Sequence, residues 1–528
     1  MPTFTYTAHM FWLASFALAG PTPAPVDEWS AKREAATEAY RAHNYGEAES
    51  LDREALNLAG PGKSVRAAIV ANELGTVLNA EARYLEAAAQ FERAIAIAEI
   101  AEGWDDQDLA SMYNNAGAAC FAMGDYAKAE KDYRRSIEIW ERNGDAKDRR
   151  HIAALNNYGL LLVNLGRYGD GEKVYEHALR MGAAALAPED PAAVESLNGL
   201  AQVRIAWGRY DDAEHLIQKG IDIRTRAYGS DSAAVADSLG YLGHVYLQEG
   251  KYAAAEPLLR RSTETCTQTL GIGHPHCSDF LNMLAGALKS MGQFDAAIRL
   301  YSELIPRMEP ALGPDHPAIA TALNNLASVY LETNQPKKTL PLLVRARRIW
   351  ERTLGPDHAY VASVLSNTGS SYAAERKYKD ALPLYQRALS IDEKVFGSSH
   401  TAVACDLHNI GSLYHRMHRE RDAEEYLGRA LAIYDRQFGL DRPIIAAATV
   451  GNLAEVYRAE KRYEDALPLY KEAINLRSKV MTADDPRWIG LLQGYTAVLR
   501  KLEDYAEAEK IQLRVTRIQV RHALRDEQ

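Results

Sequence analysis

The chain has little of what catalysis or a membrane requires. Its 528 residues include four cysteines, Cys120, Cys266, Cys277 and Cys405, and no pair has CxxC spacing. The pattern offers no thiolate zinc cage or dithiol redox motif. A basic excess is missing too. The formal net charge is -10 and the pI is near 5.9, which argues against a nucleic-acid partner, since such proteins usually carry a basic stripe. The local basic runs Lys147 to Arg150 and Arg345 to Arg352 read as solvated helix faces. Beyond the N-terminus no uninterrupted apolar run is long enough to span a bilayer. No Ser–His–Asp, Cys–His or paired-carboxylate arrangement can be assembled. The sequence therefore gives no enzyme, and no cofactor or metal is expected.

Repetition takes the place of chemistry. Gly229, Gly271, Gly313, Gly355, Gly397 and Gly439 stand 42 residues apart, and Tyr126, Tyr168, Tyr210, Tyr252 and Phe294 form a second ladder at that step. Two ladders with one period mean an array of repeats rather than one globular core. Between Val364 and Gly397, apolar or small residues recur at helical spacing in two blocks. The first holds Leu365, Thr368, Gly369 and Tyr372; the second holds Ala381, Leu384, Tyr385, Ala388 and Leu389. The polar turn Glu375-Arg376-Lys377 lies between them, closed by Tyr378. Each repeat is a helix, a turn and a second helix. The ladder glycines are expected as left-handed caps of the second helices. Pro191, Pro275, Pro317, Pro443 and Pro486 should open first helices. Pro257, Pro341, Pro383 and Pro468 should sit in the first turn of second helices. Turn positions at Tyr45, Tyr84, Tyr126, Tyr168, Tyr210, Tyr252, Phe294, Pro336, Tyr378, Glu420, Tyr463 and Tyr505 give twelve repeats.

This pattern resembles the tetratricopeptide repeat. Leu365, Thr368, Gly369, Tyr372, Tyr378, Ala381, Tyr385 and Ala388 match its successive signature positions. So do Val450, Leu453, Ala454, Tyr457, Tyr463, Ala466, Tyr470 and Ala473. The usual period is about 34; the longer one here, with Leu312 to Pro317 and Leu323 to Ala327, looks like the kinesin-light-chain subtype. The resemblance implies an all-α, right-handed superhelical solenoid over residues 26–528, ending in a charged helix. It also implies that first helices line a concave groove.

Two rows of first-helix asparagines are the candidate site. Asn115, Asn157, Asn325, Asn367, Asn409 and Asn452 occupy one repeat position; Asn114, Asn156, Asn198, Asn282 and Asn324 occupy the position before it. By the resemblance both face the groove. An amide has one acceptor and two donors, so such rows suit the backbone of an extended peptide. Equally, they suit hydrogen bonds between adjacent first helices that set the pitch. Taken as rows they are expected to bind. Gly199, Tyr241 and Met283 interrupt the later row and Gly240, Ser366, His408 and Gly451 the earlier; Tyr241 and Met283 suggest an apolar anchor pocket. The expected function is a scaffold for a peptide or protein partner, and the alternative is a sensor subunit whose groove takes a small ligand.

Three further features have plainer readings. Gly60-Pro61-Gly62-Lys63-Ser64 ends like a phosphate loop, but Asn57 stands where a glycine is needed and no strand precedes it. It is expected as a glycine-capped helix end. His274, His316, His358 and His400 share the repeat period. Neighbouring helix axes lie about 8–10 Å apart, so these imidazoles cannot converge on one zinc ion and should cap loops. His274 and His276, two apart, do not share a helix face. The cysteines are expected as buried or half-buried free thiols, although Cys266 and Cys277 flank one inter-repeat loop. Finally, the apolar run Met10 to Ala19, with Ala17-Leu18-Ala19 before Gly20 and a linker from Pro21 to Pro25, resembles a signal peptide. Export is expected, to the periplasm or outside; a disordered leader in the cytoplasm is the other reading.

Overall fold

In the computed structural model, each of the twelve turn positions begins a second helix. These helices start at Tyr45, Tyr84, Tyr126, Tyr168, Tyr210, Tyr252, Phe294, Pro336, Tyr378, Glu420, Tyr463 and Tyr505. The structure describes residues 27–60, 64–101, 104–143, 148–185, 190–272, 275–439, 444–479, 481 and 483–526. The leader and the cleavage site read from the sequence lie outside them, as does His274. The described residues hold twenty-four α-helices and one short 3-10 segment, with no strand among them.

The repeat Ala359–Ala374 with Tyr378–Phe396 shows how the signature residues act. Leu365, Ala381 and Ala388 are buried between the two helices. A Cβ added at Gly369 would lie 2.8 Å from Tyr385 Cε1, so the glycine makes room for the ring. The turn closes when Lys377 N–H donates to the Tyr372 carbonyl at 2.9 Å.

Two expectations about punctuation need correction. Gly229, Gly271, Gly313 and Gly397 do end second helices, with φ of 81–84°. Their ψ of 149–158°, however, lies outside the left-handed helical basin, in a region that glycine alone enters without strain. Pro257, Pro341, Pro383 and Pro468 are not in the first turn; they stand inside the second helices. Each removes one intrahelical bond. All four lie on exposed faces, so the released carbonyl can turn to water. Pro275 and Pro317 open first helices as expected, whereas Pro191 and Pro486 fall just ahead of helices that start at Ala193 and Trp488. Pro443 is outside the described residues.

The curvature follows from which helices touch. Neighbouring first helices pack on one another, such as Arg149–Asn164 on Ala193–Ala206 and Pro317–Glu332 on Ala359–Ala374. Neighbouring second helices have no comparable contact. First helices therefore form the inner wall and second helices the outer one.

The curve closes on itself. Tyr126 stacks on Phe396 with centroids 5.6 Å apart, and Tyr168 packs on Phe438 at 6.2 Å, one repeat further along on both sides. His400 Nε2 donates to the Asn164 carbonyl at 2.9 Å, across 236 residues of sequence. His358 faces the Ala122 carbonyl in the equivalent place one repeat earlier. The first turn of the superhelix is thus seated on the second, in one register repeated by the period of the sequence.

The histidine ladder supplies this contact. His316, His358 and His400 are N-caps whose Nδ1 atoms accept from the N–H groups of Ala318, Tyr360 and Ala402 at 3.2, 3.1 and 3.2 Å. The capping expected of them is what they do. With Nδ1 accepting, the proton sits on Nε2, and in His358 and His400 that proton faces the other turn. Burial holds all three imidazoles down near about 4.

Cys266 and Cys277 are joined by a disulfide, with Cα atoms 5.4 Å apart. This corrects the free-thiol expectation for that pair. Cys266 on Tyr252–Leu270 and Cys277 on Pro275–Ser290 face each other across the short inter-repeat loop, which brings the sulfurs together. Cys120 and Cys405 are free.

Candidate functional site: the inner wall

The asparagines of the inner wall bond mainly to one another. Four later-row amides reach back to the earlier row of the preceding repeat. Asn115 Nδ2 donates to Asn72 Oδ1 at 3.1 Å and Asn157 to Asn114 at 3.0 Å. Asn325 donates to Asn282 at 3.0 Å and Asn367 to Asn324 at 2.8 Å. Asn282 also accepts from the Tyr301 hydroxyl at 3.1 Å, and Asn452 donates to Ser412 Oγ at 2.7 Å. Asn156, Asn157, Asn198, Asn324 and Asn367 are buried. The two readings of the rows are therefore unequal in this geometry: the bonds seen are those of a pitch-setting ladder. Sequence periodicity placed the two rows on neighbouring positions. It did not show that the bond steps from one row to the other.

The ladder is interrupted where the sequence departs from asparagine. Asn156 accepts from Ser196 Oγ at 2.7 Å, because Gly199 stands at the next rung. Asn198 has its Nδ2 within 3.5 Å of Glu195 Oε2 on its own helix. Ser366 turns its hydroxyl to Asp406 at 2.8 Å, and Asn409 at the next rung is half-buried. Tyr241 lies edge-on to Phe280 at 6.0 Å, and Met283 packs half-buried against the core. This pair is thus engaged with its neighbours.

An expected outcome follows for the best-buried rung. Asn367→Ala leaves the Asn324 acceptor, itself 1% exposed, without that donor. Stability should fall by about 1–3 kcal/mol. In a double-mutant cycle with Asn324→Ala, the coupling read from denaturant midpoints should be about 0.5–1.5 kcal/mol. Additive losses would show that the bond contributes nothing.

Other polar side chains of the first helices lie outside the two asparagine rows, His408 excepted, which interrupts the earlier row. His244 lies between Gln202, at 3.4 Å, and Gln248, at 3.1 Å. His408 contacts Thr449 Oγ1 at 3.1 Å and Ser412 at 3.4 Å. Burial holds both imidazoles far below their ordinary value, to about 3, so both are neutral at pH 7. Lys289 Nζ bonds Ser328 at 3.2 Å and pairs with Glu332 at 3.0 Å. Asp392 and Asp406 face each other across one repeat interface; burial raises both carboxyls, Asp406 to about 7, and the neighbouring Asp406 raises Asp392 further. Sharing one proton is the way such a pair avoids two buried charges. A 42-residue comparison of helix positions could have found Gln202 and His244; it could not have paired Asp392 with Asp406, which sit at unrelated repeat positions.

Among the described residues no three His, Cys, Asp or Glu side chains are grouped to hold a metal ion, and no helix is long and apolar enough to cross a membrane. Ser64 caps the helix after the loop that ends like a phosphate site, accepting from Ala67 N–H at 3.2 Å, and Gly60 has φ of 79°. The described part of that loop joins two helices, as expected; residues 61–63 are outside it.

Twelve helix–turn–helix units with first helices inside define a superhelical repeat protein. The sequence profile of the tetratricopeptide repeat matches seven segments, at residues 108–181, 150–226, 208–268, 277–340, 335–394, 360–436 and 445–519. These cover more than half of the chain, which belongs to the tetratricopeptide repeat family. No curated protein matches its sequence. Solved structures similar in part include nearly identical TPR-like repeats from Podosopora anserina, at 22% identity and TM-score 0.33, covering 38% of this chain and 94% of that one. BtubC (BKLC) from P. vanneervenii is 21% identical with TM-score 0.36, covering 44% and 93%. The Cut9–Hcn1 hetero-tetramer of the APC/C gives 12% and 0.40, covering 93% and 94%.

Proposed function

We propose that this scaffold takes an extended segment of a partner protein along its inner wall. The observation that carries the reading is the wall's chemistry. Side chains such as Gln202 and Gln248 on one pair of neighbouring first helices, and Ser412 and Asn452 on another, are half-buried and offer neutral hydrogen-bonding groups. Neutral donors and acceptors in a row suit a peptide backbone, which presents both at every residue. They do not select one charged ligand. The paired asparagines then hold the wall in register, and the grip falls to the amides and hydroxyls beside them.

Photo-crosslinking in the native host tests this. A photoreactive residue at Gln248, on the inner wall, should capture a partner segment. One at Val344, exposed on the outer helix Pro336–Thr353, should not. Capture at Val344 alone would place the binding surface outside and overturn the reading.

Export belongs to the same proposal. Disulfides persist in oxidising compartments, and the Cys266–Cys277 bond supports the reading of Ala17-Leu18-Ala19 as a cleavage site. N-terminal sequencing of native protein should give a start near Gly20; an intact Met1 or Pro2 would rule export out.

A further inference from the structure

The contact between superhelical turns has two faces. One is the turn inside a repeat, where Tyr126 and Tyr168 open second helices. The other is the end of a second helix with the loop after it, bearing Phe396, His400 and Phe438. Where these faces meet, the helix-end residues are covered: Phe396 and Phe438 are half-buried. Tyr228 ends the helix Tyr210–Tyr228 at the same repeat position as Phe396, yet it is 58% exposed. Leu58 and Ile100, at the ends of two earlier second helices, are exposed beside the same edge. On the opposite edge Tyr505 opens the helix Tyr505–Asp526 at the repeat position of Tyr126, and it is 64% exposed. Each edge therefore repeats one half of a contact that the chain already makes within itself.

The geometry points to head-to-tail self-association, in which a second copy of the chain seats its Tyr228 edge on the edge that bears Tyr505. A second copy is the occupant because its surface continues an interface already formed between two turns of one chain, aromatic on aromatic. The contact joins two different patches, so it is heterologous and leaves one of each edge free for the next copy.

Sedimentation velocity on the full chain across a concentration series tests this. The wild type should give an open series of species that grows with concentration. Tyr228→Glu and Tyr505→Glu should each weaken association at least ten-fold. Both side chains are exposed, so circular dichroism, and the melting midpoint at a concentration where the wild type is monomeric, should stay unchanged. Mixed in equal amounts, the two variants should form a dimer and nothing larger, because each retains the edge that the other lacks. A wild type that stays monomeric throughout, variants that associate like the wild type, or a mixture that forms no dimer would each overturn the inference.

Discussion

The variant His358→Asn with His400→Asn is expected to be less stable than the wild type above pH 7 and more stable below about pH 5. At neutral pH each imidazole caps a helix through Nδ1 and faces a carbonyl of the other turn. Asparagine keeps the cap but cannot reach across, so the His400 hydrogen bond and the His358 contact are lost, about 1–2 kcal/mol together. Acid reverses the order. Burial lowers both groups from 6.5 to about 4 in the folded protein, so the unfolded chain binds more protons between those values. Stability that is full above pH 6.5 is lost as pH falls towards 4, and only the wild type loses it. Each shift corresponds to about 3 kcal/mol at most; with His400 half-buried, the pair should cost the wild type about 4 kcal/mol by pH 4.5. Raised carboxyls such as Asp52, pushed up to about 8, act in the opposite sense. They titrate in both proteins and cancel. Urea midpoints at pH 7.5 and 4.5 decide the matter: curves that do not cross would remove the inter-turn role of these histidines.

Completing the asparagine ladder at Gly199 should destabilise the protein. By repeat pattern Gly199→Asn restores the later row opposite Asn156. By geometry it cannot fit. A Cβ at this position would lie 2.1 Å from Tyr175 Cε1 and 2.3 Å from its Cζ, and Tyr175 is fully buried. On its other side the ring lies against Gly159, where an added Cβ would be 2.7 Å from Cζ. The ring is thus held between two glycines and has nowhere to move. Overpacking of this kind costs about 3 kcal/mol, more than one restored amide bond returns. Tyr175→Leu should recover part of the loss in the double variant, a coupling expected of residues in contact. A higher melting midpoint for Gly199→Asn alone would show that the ring yields.

The twelve repeats were legible because each turn between helices demands the same small and large residues. Gly369 beside Tyr385 is one statement of that demand, and it recurs along the chain. The closing of one superhelical turn on another was not legible. It depends on a small rotation added at every repeat, which no single repeat encodes. Its residues were in view: His358 and His400 were read as caps, which they are, but a cap uses only one of the two ring nitrogens. The amide rows were placed correctly on neighbouring positions, while their mutual bonding needed the offset between helices. Cys266 and Cys277 were seen to flank a loop, but its path decides whether the sulfurs meet.

The Asn164–His400 contact also changes how the chain should fold. In an open solenoid each repeat answers only to its neighbours, so unfolding can begin anywhere and stop anywhere. Here a pair 236 residues apart must arrive together. Such a pair raises contact order, which slows folding, and its closure entropy is met only after the intervening repeats have stacked. Seating of the turns is then the final kinetic event. Any repeat between Tyr126 and Phe438 that melts carries part of the seat away with it, so this stretch behaves as one cooperative unit, with the repeats outside it free to fray on their own.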